Sequence, residues 1–331
     1  MLTALISADW ELVRFYLAPI QPLLDDDRVT NIMVNRYDDV WADDPQRGMY
    51  KTTLAFRDDA EVATLIEQIA NALSQYFDPV KTPIINARLP DGSRVCATLP
   101  AATPGGCTLS IRLHRRHGLD LTRLVQTRTI SAAIQETLLE AMAQGRNILI
   151  SGATNSGKTT LLNALSCAIP PRERIVVCED VSELMLNAPN VIRMEAQQHD
   201  SGNTPALSLA RLLATSLRQR PDRIIVGEIR EPDAAEVFYQ ALNTGHRGVC
   251  TTLHANNARA ALGRLVSLTL GRSTLPFQVI ESEYLHNLDL VLHIDYLEDS
   301  GVRRLTEVCV VEAGELRPCF IYNATTDAWS K

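Results

Sequence analysis

The most specific chemical signal in this chain of 331 residues is the run Gly152, Ala153, Thr154, Asn155, Ser156, Gly157, Lys158 and Thr159, continued by Thr160. Glycine at either end lets the backbone curl until successive N–H groups and a helix N-terminus face an anion. A lysine directly after the second glycine can neutralise β- and γ-phosphate oxygens, and the hydroxyl of Thr159 is the ligand type that Mg²⁺ accepts beside them. An apolar run over 147–151 precedes the glycines and a helical pattern over 158–168 follows, which is the strand-before, helix-after setting this chemistry needs. The spacing predicts a loop that wraps the phosphates of ATP, with Mg²⁺ as cofactor.

Acidic groups follow at the positions where such a site needs them. The apolar run 223–226 ends in Gly227-Glu228, a carboxylate at a strand terminus, where a phosphate-loop nucleotidase places the acid that manages Mg²⁺ or its water. A second cluster, Glu179, Asp180 and Glu183, follows directly on the apolar run 174–178. In a parallel sheet the C-terminal strand ends share one crevice, so Glu179 and Glu228 are expected to approach the γ-phosphate together, one orienting or deprotonating water while the other manages the metal. His246 and His254 bracket the short apolar run 248–253; His254 sits at the same strand end as the acids, where it could read the γ-phosphate, and His246 is a second candidate. A phosphate-loop core without an arginine of its own turns over slowly until a neighbour supplies one. Arg94, Arg112, Arg115, Arg116 and Arg123 are the candidates, with Arg112 fixed at the end of an expected strand; Arg220 and Arg230 flank the 223–228 run and join the set.

The elements that hold these residues suggest two domains. Residues 1–117 read as a smaller α+β domain: a helix with apolar Leu5, Leu12, Tyr16 and Ile20, a strand from Val29, a helix capped by Asp58 or Asp59 with Val62, Leu65, Ile66, Ile69 and Leu73 on one face, and short strands at 93–99 and 107–113. Residues 118–130, polar and basic, read as a linker that packs little of itself. From 131 to 331 strands alternate with helices as a parallel sheet requires, one of the helices led by Thr204-Pro205, and a final strand and hairpin close the chain. The fold class is α/β.

Composition narrows the function. A net charge of 32 − 39 = −7 offers no global positive field for a nucleic-acid backbone, so direct nucleic-acid binding is not expected. No apolar stretch approaches the roughly 20 residues that span a bilayer, and the first residues lack the basic start and apolar core of a secretory signal, which predicts a cytoplasmic protein. Trp10, Phe15 and Tyr16 could lay the first helix on a membrane surface, although such a stripe more often belongs to a domain core. The seven cysteines form no CxxC pair and read as buried and reduced, which argues against a disulfide framework or a structural zinc site.

Taken together, residues 151–160, the acidic box 179–183, the run 218–230 and Thr244-Gly245-His246 with Thr252-Leu253-His254-Ala255 resemble the secretion ATPases of type II and type IV secretion and type IV pili, most closely the VirB11/TrbB branch. The resemblance covers nearly the whole chain, since 29–41 and 91–112 look like that branch's N-terminal domain. It implies a hexameric ring of subunits, each with an N-terminal domain and a RecA-like P-loop core, ATP between them, and secretion-channel subunits as partners at the cytoplasmic face of the inner membrane. It also implies that Glu179 and Glu228 serve hydrolysis, that His254 lies near the nucleotide and that Arg112 completes the site. The chain lacks the four-cysteine insert often seen in the pilus and type II branches. A pilus ATPase, a P-loop kinase and a nucleotide-dependent scaffold that does not turn over remain the alternative readings.

Overall fold

The computed structural model describes residues 8–44, 47–73, 75–89, 91–113, 120–186, 188–197, 206–298 and 300–330; Leu5, Arg115, Arg116, Thr204 and Pro205, named above, lie outside them. The chain separates into two compact units, Met1–His117 and Gly118–Lys331.

The first unit runs α1 (Ala8–Leu17), α2 (Gln21–Asp25), β1 (Asn31–Arg36), β2 (Asp39–Asp44), β3 (Gly48–Lys51), α3 (Asp59–Ala72), β4 (Ile84–Arg88), β5 (Arg94–Thr98) and β6 (Thr108–Arg112). Its strands form one antiparallel sheet in the order β3-β2-β1-β6-β5-β4. Asp58 starts α3 by accepting the Glu61 N–H at 2.9 Å, which meets one of the helix's orphan donors, and Glu61 Oε2 reaches back to accept the Arg57 N–H ahead of the cap at 2.6 Å. Val62, Leu65, Ile66 and Ile69 are buried on one face of it. In α1 the burial is divided: Trp10, Val13 and Leu17 are core, while Leu12 and Phe15 are exposed. The sequence pattern missed β3 and β4, the two edge strands, where pairing rather than an apolar run sustains the strand.

The second unit runs α4 (Leu121–Gln126), α5 (Ala132–Gln144), β7 (Ile148–Gly152), α6 (Lys158–Ser166), β8 (Ile175–Glu179), β9 (Val191–Glu195), α7 (Leu209–Ser216), β10 (Arg223–Val226), α8 (Pro232–Asn243), β11 (Val249–His254), α9 (Ala258–Leu270), α10 (Phe277–Asn287), β12 (Leu290–Leu297), β13 (Val302–Glu312), β14 (Glu315–Asn323) and β15 (Ala328–Ser330). A nine-stranded sheet orders them β15-β14-β13-β12-β7-β11-β10-β8-β9. From β12 to β9 every pairing is parallel, and β13, β14 and β15 extend the sheet antiparallel. β7, β8 and β10 are buried along their whole length, as strands covered on both faces must be. One face carries the side chains of α7, α8, α9 and α10 with Leu149, Val226 and Val291; the other carries α4, α5 and α6 with Ile148, Ile150 and Ile294.

Two expectations are corrected. Of the expected linker 118–130, the described residues 120–130 do not form a loose link: Asp120 caps α4 by accepting the Arg123 N–H at 2.8 Å, and Leu121, Leu124 and Ile130 are buried in the core beneath α5 and α6. Thr122 and Arg123 lie on the exposed side of the short helix, and three apolar anchors suffice to seat it. The cysteines are free, but Cys96 and Cys167 are exposed rather than buried. Among the described residues no helix is long and apolar enough to cross a membrane.

Because Leu124 fills a closed core, Leu124→Ala should lower unfolding free energy by about 2–4 kcal/mol in chemical denaturation. A chain segment that merely linked two units would tolerate the change within about 0.5 kcal/mol.

Candidate active site

Four parallel strands deliver the candidate residues to one edge of the sheet. β7 ends at Gly152 and passes into the loop, β8 ends at Glu179, β10 leads through Gly227 to Glu228, and β11 ends at His254, which lies beside Gly152 in the β7·β11 register. The loop between β7 and α6 is held in a shape few residues adopt. Gly157 has φ 104° and Asn155 has φ 62°, both left-handed. At Gly152 a Cβ would run into the carbonyl oxygen of Ile294 and Oγ of Ser156, so only glycine lets β12 approach this closely. Ser156 is fully buried within the loop, whereas Ala153, Thr154 and Asn155 are exposed and Thr159 and Thr160 are half-buried at the start of α6.

Lys158 is 7% exposed, and its ammonium donates to the carbonyls of Gly152 at 3.2 Å and Ala153 at 2.8 Å. Its third neighbour is His254, whose Nδ1 lies 3.2 Å from Nζ and must be the acceptor, which puts the ring proton on Nε2. Nε2 in turn lies 2.9 Å from Glu228 Oε1. That oxygen is buried without a hydrogen-bond partner, so the imidazole faces it closely but is not aligned on it. The other carboxylate oxygen, Oε2, accepts from Arg230 Nη2 at 2.7 Å. Lys158, His254, Glu228 and Arg230 thus form one contact chain. Burial holds the Lys158 amine below its ordinary value, opposed by the nearby Glu228 carboxylate.

Glu179 sits behind this chain and is 3% exposed. Its Oε1 accepts the N–H groups of Glu183 at 2.8 Å and Leu184 at 2.9 Å, and its Cγ lies 3.2 Å from where a Cβ on Gly227 would stand. Burial raises its carboxyl to about 7 despite those two backbone donors, a value suited to exchanging a proton with water near neutrality. Asp180 is raised too, by burial against the pull of Arg230.

The remaining candidates are not all at this edge. His246 lies before β11, in a cleft of about 580 Å³ lined with Arg146, Asn147, Arg247, His286 and Asp289, at the N-terminal end of the strands and therefore across the sheet from the loop. Arg220, before β10, is at that same far end, largely exposed and 3.9 Å from Asp222. Sequence order put His246 and His254 in one motif, but the strand between them carries the two rings apart. Arg123 lies on the outer side of α4 and donates to Gln126 Oε1 at 3.1 Å. In the first unit Arg112 ends β6, with Arg94 opposite it on β5 and Arg88 opposite Arg94 on β4. Three arginines therefore share one cross-strand row.

One contact was not legible in the sequence. Arg303, at the start of β13, donates from Nε to the Asn155 carbonyl at 3.2 Å and lays its Cδ against Gly157. No spacing rule ties a residue near 300 to a loop at 155; only the pairing of β12 with β7 brings it there.

Thr159 and Glu228 are the hard oxygen donors this edge offers a divalent cation, and the orphaned Glu228 Oε1 fits that use.

Comparison with known proteins agrees with the geometry. The Type II/IV secretion system protein family matches residues 16–290. The chain is 34% identical over 293 residues to the conjugal transfer protein TrbB of Rhizobium radiobacter, covering 87% of this chain and 85% of that one. It is 33% identical over 322 residues to the type IV secretion system protein PtlH of Bordetella pertussis, covering 88% and 93%. In fold it is similar to the Legionella pneumophila ATPase DotB, with a TM-score of 0.66 at 20% identity over 91% of this chain and 81% of that one. An α/β phosphate-loop core of RecA type with a smaller α+β domain before it, and a family match spanning both, place this chain in the Type II/IV secretion system protein family, on its VirB11/TrbB-like branch.

Proposed function

We propose that this chain is a Mg-ATP hydrolase, ATP + H₂O → ADP + phosphate, that works as a homohexamer at the cytoplasmic face of the inner membrane and powers a type IV secretion apparatus through its channel subunits. The observation that carries this reading is the contact chain Lys158–His254–Glu228 at the mouth of the loop, with the buried, proton-poised Glu179 beside it. The names of the TrbB and PtlH relatives support conjugal transfer or type IV secretion over pilus movement.

The chemistry is positioning and charge neutralisation. Arriving phosphates give the Lys158 ammonium better acceptors than the two backbone carbonyls it now holds, and the loop N–H groups converge on the same oxygens. Thr159 and Glu228 are the groups that would hold Mg²⁺, which would supply charge neutralisation at the phosphate oxygens when bound. Glu179 orients the attacking water and takes up its proton; its raised proton affinity makes that transfer less uphill than it would be to an exposed glutamate. His254 links the lysine to Glu228, so loss of the terminal phosphate is felt at both. Arg112 answers the transition-state charge from the end of β6, where pairing with Asn31 and Arg94 fixes its backbone.

Three outcomes are expected. Lys158→Ala should abolish phosphate release in a steady-state assay. Arg112→Ala should keep nucleotide affinity near wild type while hydrolysis falls on the order of 10³-fold, and an unchanged rate removes Arg112 from the reaction. Glu179→Gln should lose hydrolysis and also change the pH dependence of stability. The native carboxyl holds its proton to about pH 7, against the ordinary glutamate value of 4.5. The stabilisation that comes with the proton is complete below that ordinary value and is lost as pH rises to about 7; above that the buried carboxylate is a constant cost. Relative to wild type, Glu179→Gln should therefore gain on the order of 2–3 kcal/mol between pH 5 and pH 8 in urea denaturation. Parallel curves for the two proteins would contradict this.

A further inference from the structure

A nucleotide has two ends, and the residues above hold only the phosphate end. Glu228 follows β10, and His254 and Glu179 end β11 and β8, all on one side of β7 in the sheet order. A terminal phosphate seated on the loop is directed toward that side, so the base leaves toward the other, where β12 stands next to β7 and β13 next to β12. Arg303, at the start of β13, reaches the loop there, at Asn155 and Gly157. Ile294 of β12 and Leu305 of β13 belong to the core on the α6 face, and Ile294 closes against Gly152 and Gly157, so the residues in step with them, Tyr296 and Arg303, are on the face that carries the loop and α6.

Tyr296 and Arg303 are direct cross-strand partners, with the guanidinium carbon 5.3 Å from the ring centroid. Arg303 is fixed to the loop through its Nε–H on the Asn155 carbonyl. Tyr296 is 43% exposed, an aromatic ring held at the edge of a phosphate loop with much of its surface open. A phenol ring and a planar cation each present a flat face on which a nucleobase stacks.

We propose that Tyr296 and Arg303 form the base subsite of this nucleotide site, the ring and the guanidinium supplying flat surfaces for a purine while the Arg303 Nε–H holds the loop at Asn155. The proposal rests on the phosphate-loop reading above and adds to it where the rest of the ligand lies. Both residues act by positioning, since neither is on the side where the phosphate bond breaks.

The test compares two ligands that share a diphosphate and differ in the nucleoside, Mg-ADP and Mg-pyrophosphate, titrated calorimetrically into the full-length protein. Tyr296→Ala should weaken ADP about tenfold and leave pyrophosphate within about twofold, because only the stacked base is lost. Tyr296→Phe should restore ADP, which a role for the hydroxyl in folding would not allow. Arg303→Ala should weaken both ligands, ADP more, the pyrophosphate loss measuring the hold on the loop and the excess measuring the base. Wild-type binding of both ligands together with unchanged ADP affinity in Tyr296→Ala overturns the base subsite alone. A wild type that takes neither ligand overturns the phosphate-loop reading, and the base subsite falls with it.

Discussion

The site depends on keeping a short stretch of backbone concave before any anion arrives to justify that shape. Within residues 152–158, Asn155 and Gly157 take left-handed conformations and the ammonium of Lys158 is buried beside them. Left to itself such a loop would open, because strained dihedrals and a desolvated cation both favour release. The surrounding structure prevents it from three directions. Ile294 and Ser156 close on Gly152 from below, Arg303 grips the Asn155 carbonyl from outside, and the Gly152 and Ala153 carbonyls with His254 occupy the lysine's donors. The sheet order, which sets β12 against β7 on one side and β11 on the other, makes all three possible.

How much of this was readable in advance follows from how local each cause is. The loop, Glu179, Glu228 and His254 are chemistry placed at strand ends, and a parallel sheet brings its C-terminal ends together whatever lies between. Strand spacing in sequence was therefore enough to expect them at one edge. Arg303 was invisible for the opposite reason: its contact with Asn155 exists only because β13 extends the sheet next to β12, a pairing that joins residues nearly 150 positions apart. The stretch 118–130 misled because its composition is polar, and composition counts side chains without regard to direction. Leu121, Leu124 and Ile130 all face inward, and those three decide that the segment packs.

His246 and Arg220 show the limit of motif reasoning. Each lies within a few residues of a strand that ends at the site, and each is at that strand's beginning. A strand rises about 3.3 Å per residue, so the four to six residues of β10 and β11 separate their two ends by roughly 13–20 Å, beyond the reach of any side chain. His246 faces the polar cleft around Asn147, which knits the sheet's far edge together by accepting the Val249 N–H and donating to the Asn287 carbonyl, whereas Arg220 stands largely exposed near Asp222.

The same local geometry that stabilises the loop also makes it responsive. Lys158 cannot serve its present acceptors and a phosphate equally, because an ammonium has three donors and all three are engaged. Seating an anion must draw at least one of them away, and His254 is the acceptor whose release has consequences, since its other nitrogen faces Glu228 and Glu228 is bound to Arg230. A change at the phosphate is thereby transmitted from β7 across β11 to the residues after β10 without any element having to unfold. Arg230 leads directly into α8, so the first rigid body to feel the exchange is a helix whose inner face, with Ala235 and Phe238, is packed into the core. If the chain hydrolyses ATP as proposed, coupling of that reaction to movement needs only that this helix have two seats, which is a property of packing and not of the chemistry at the loop.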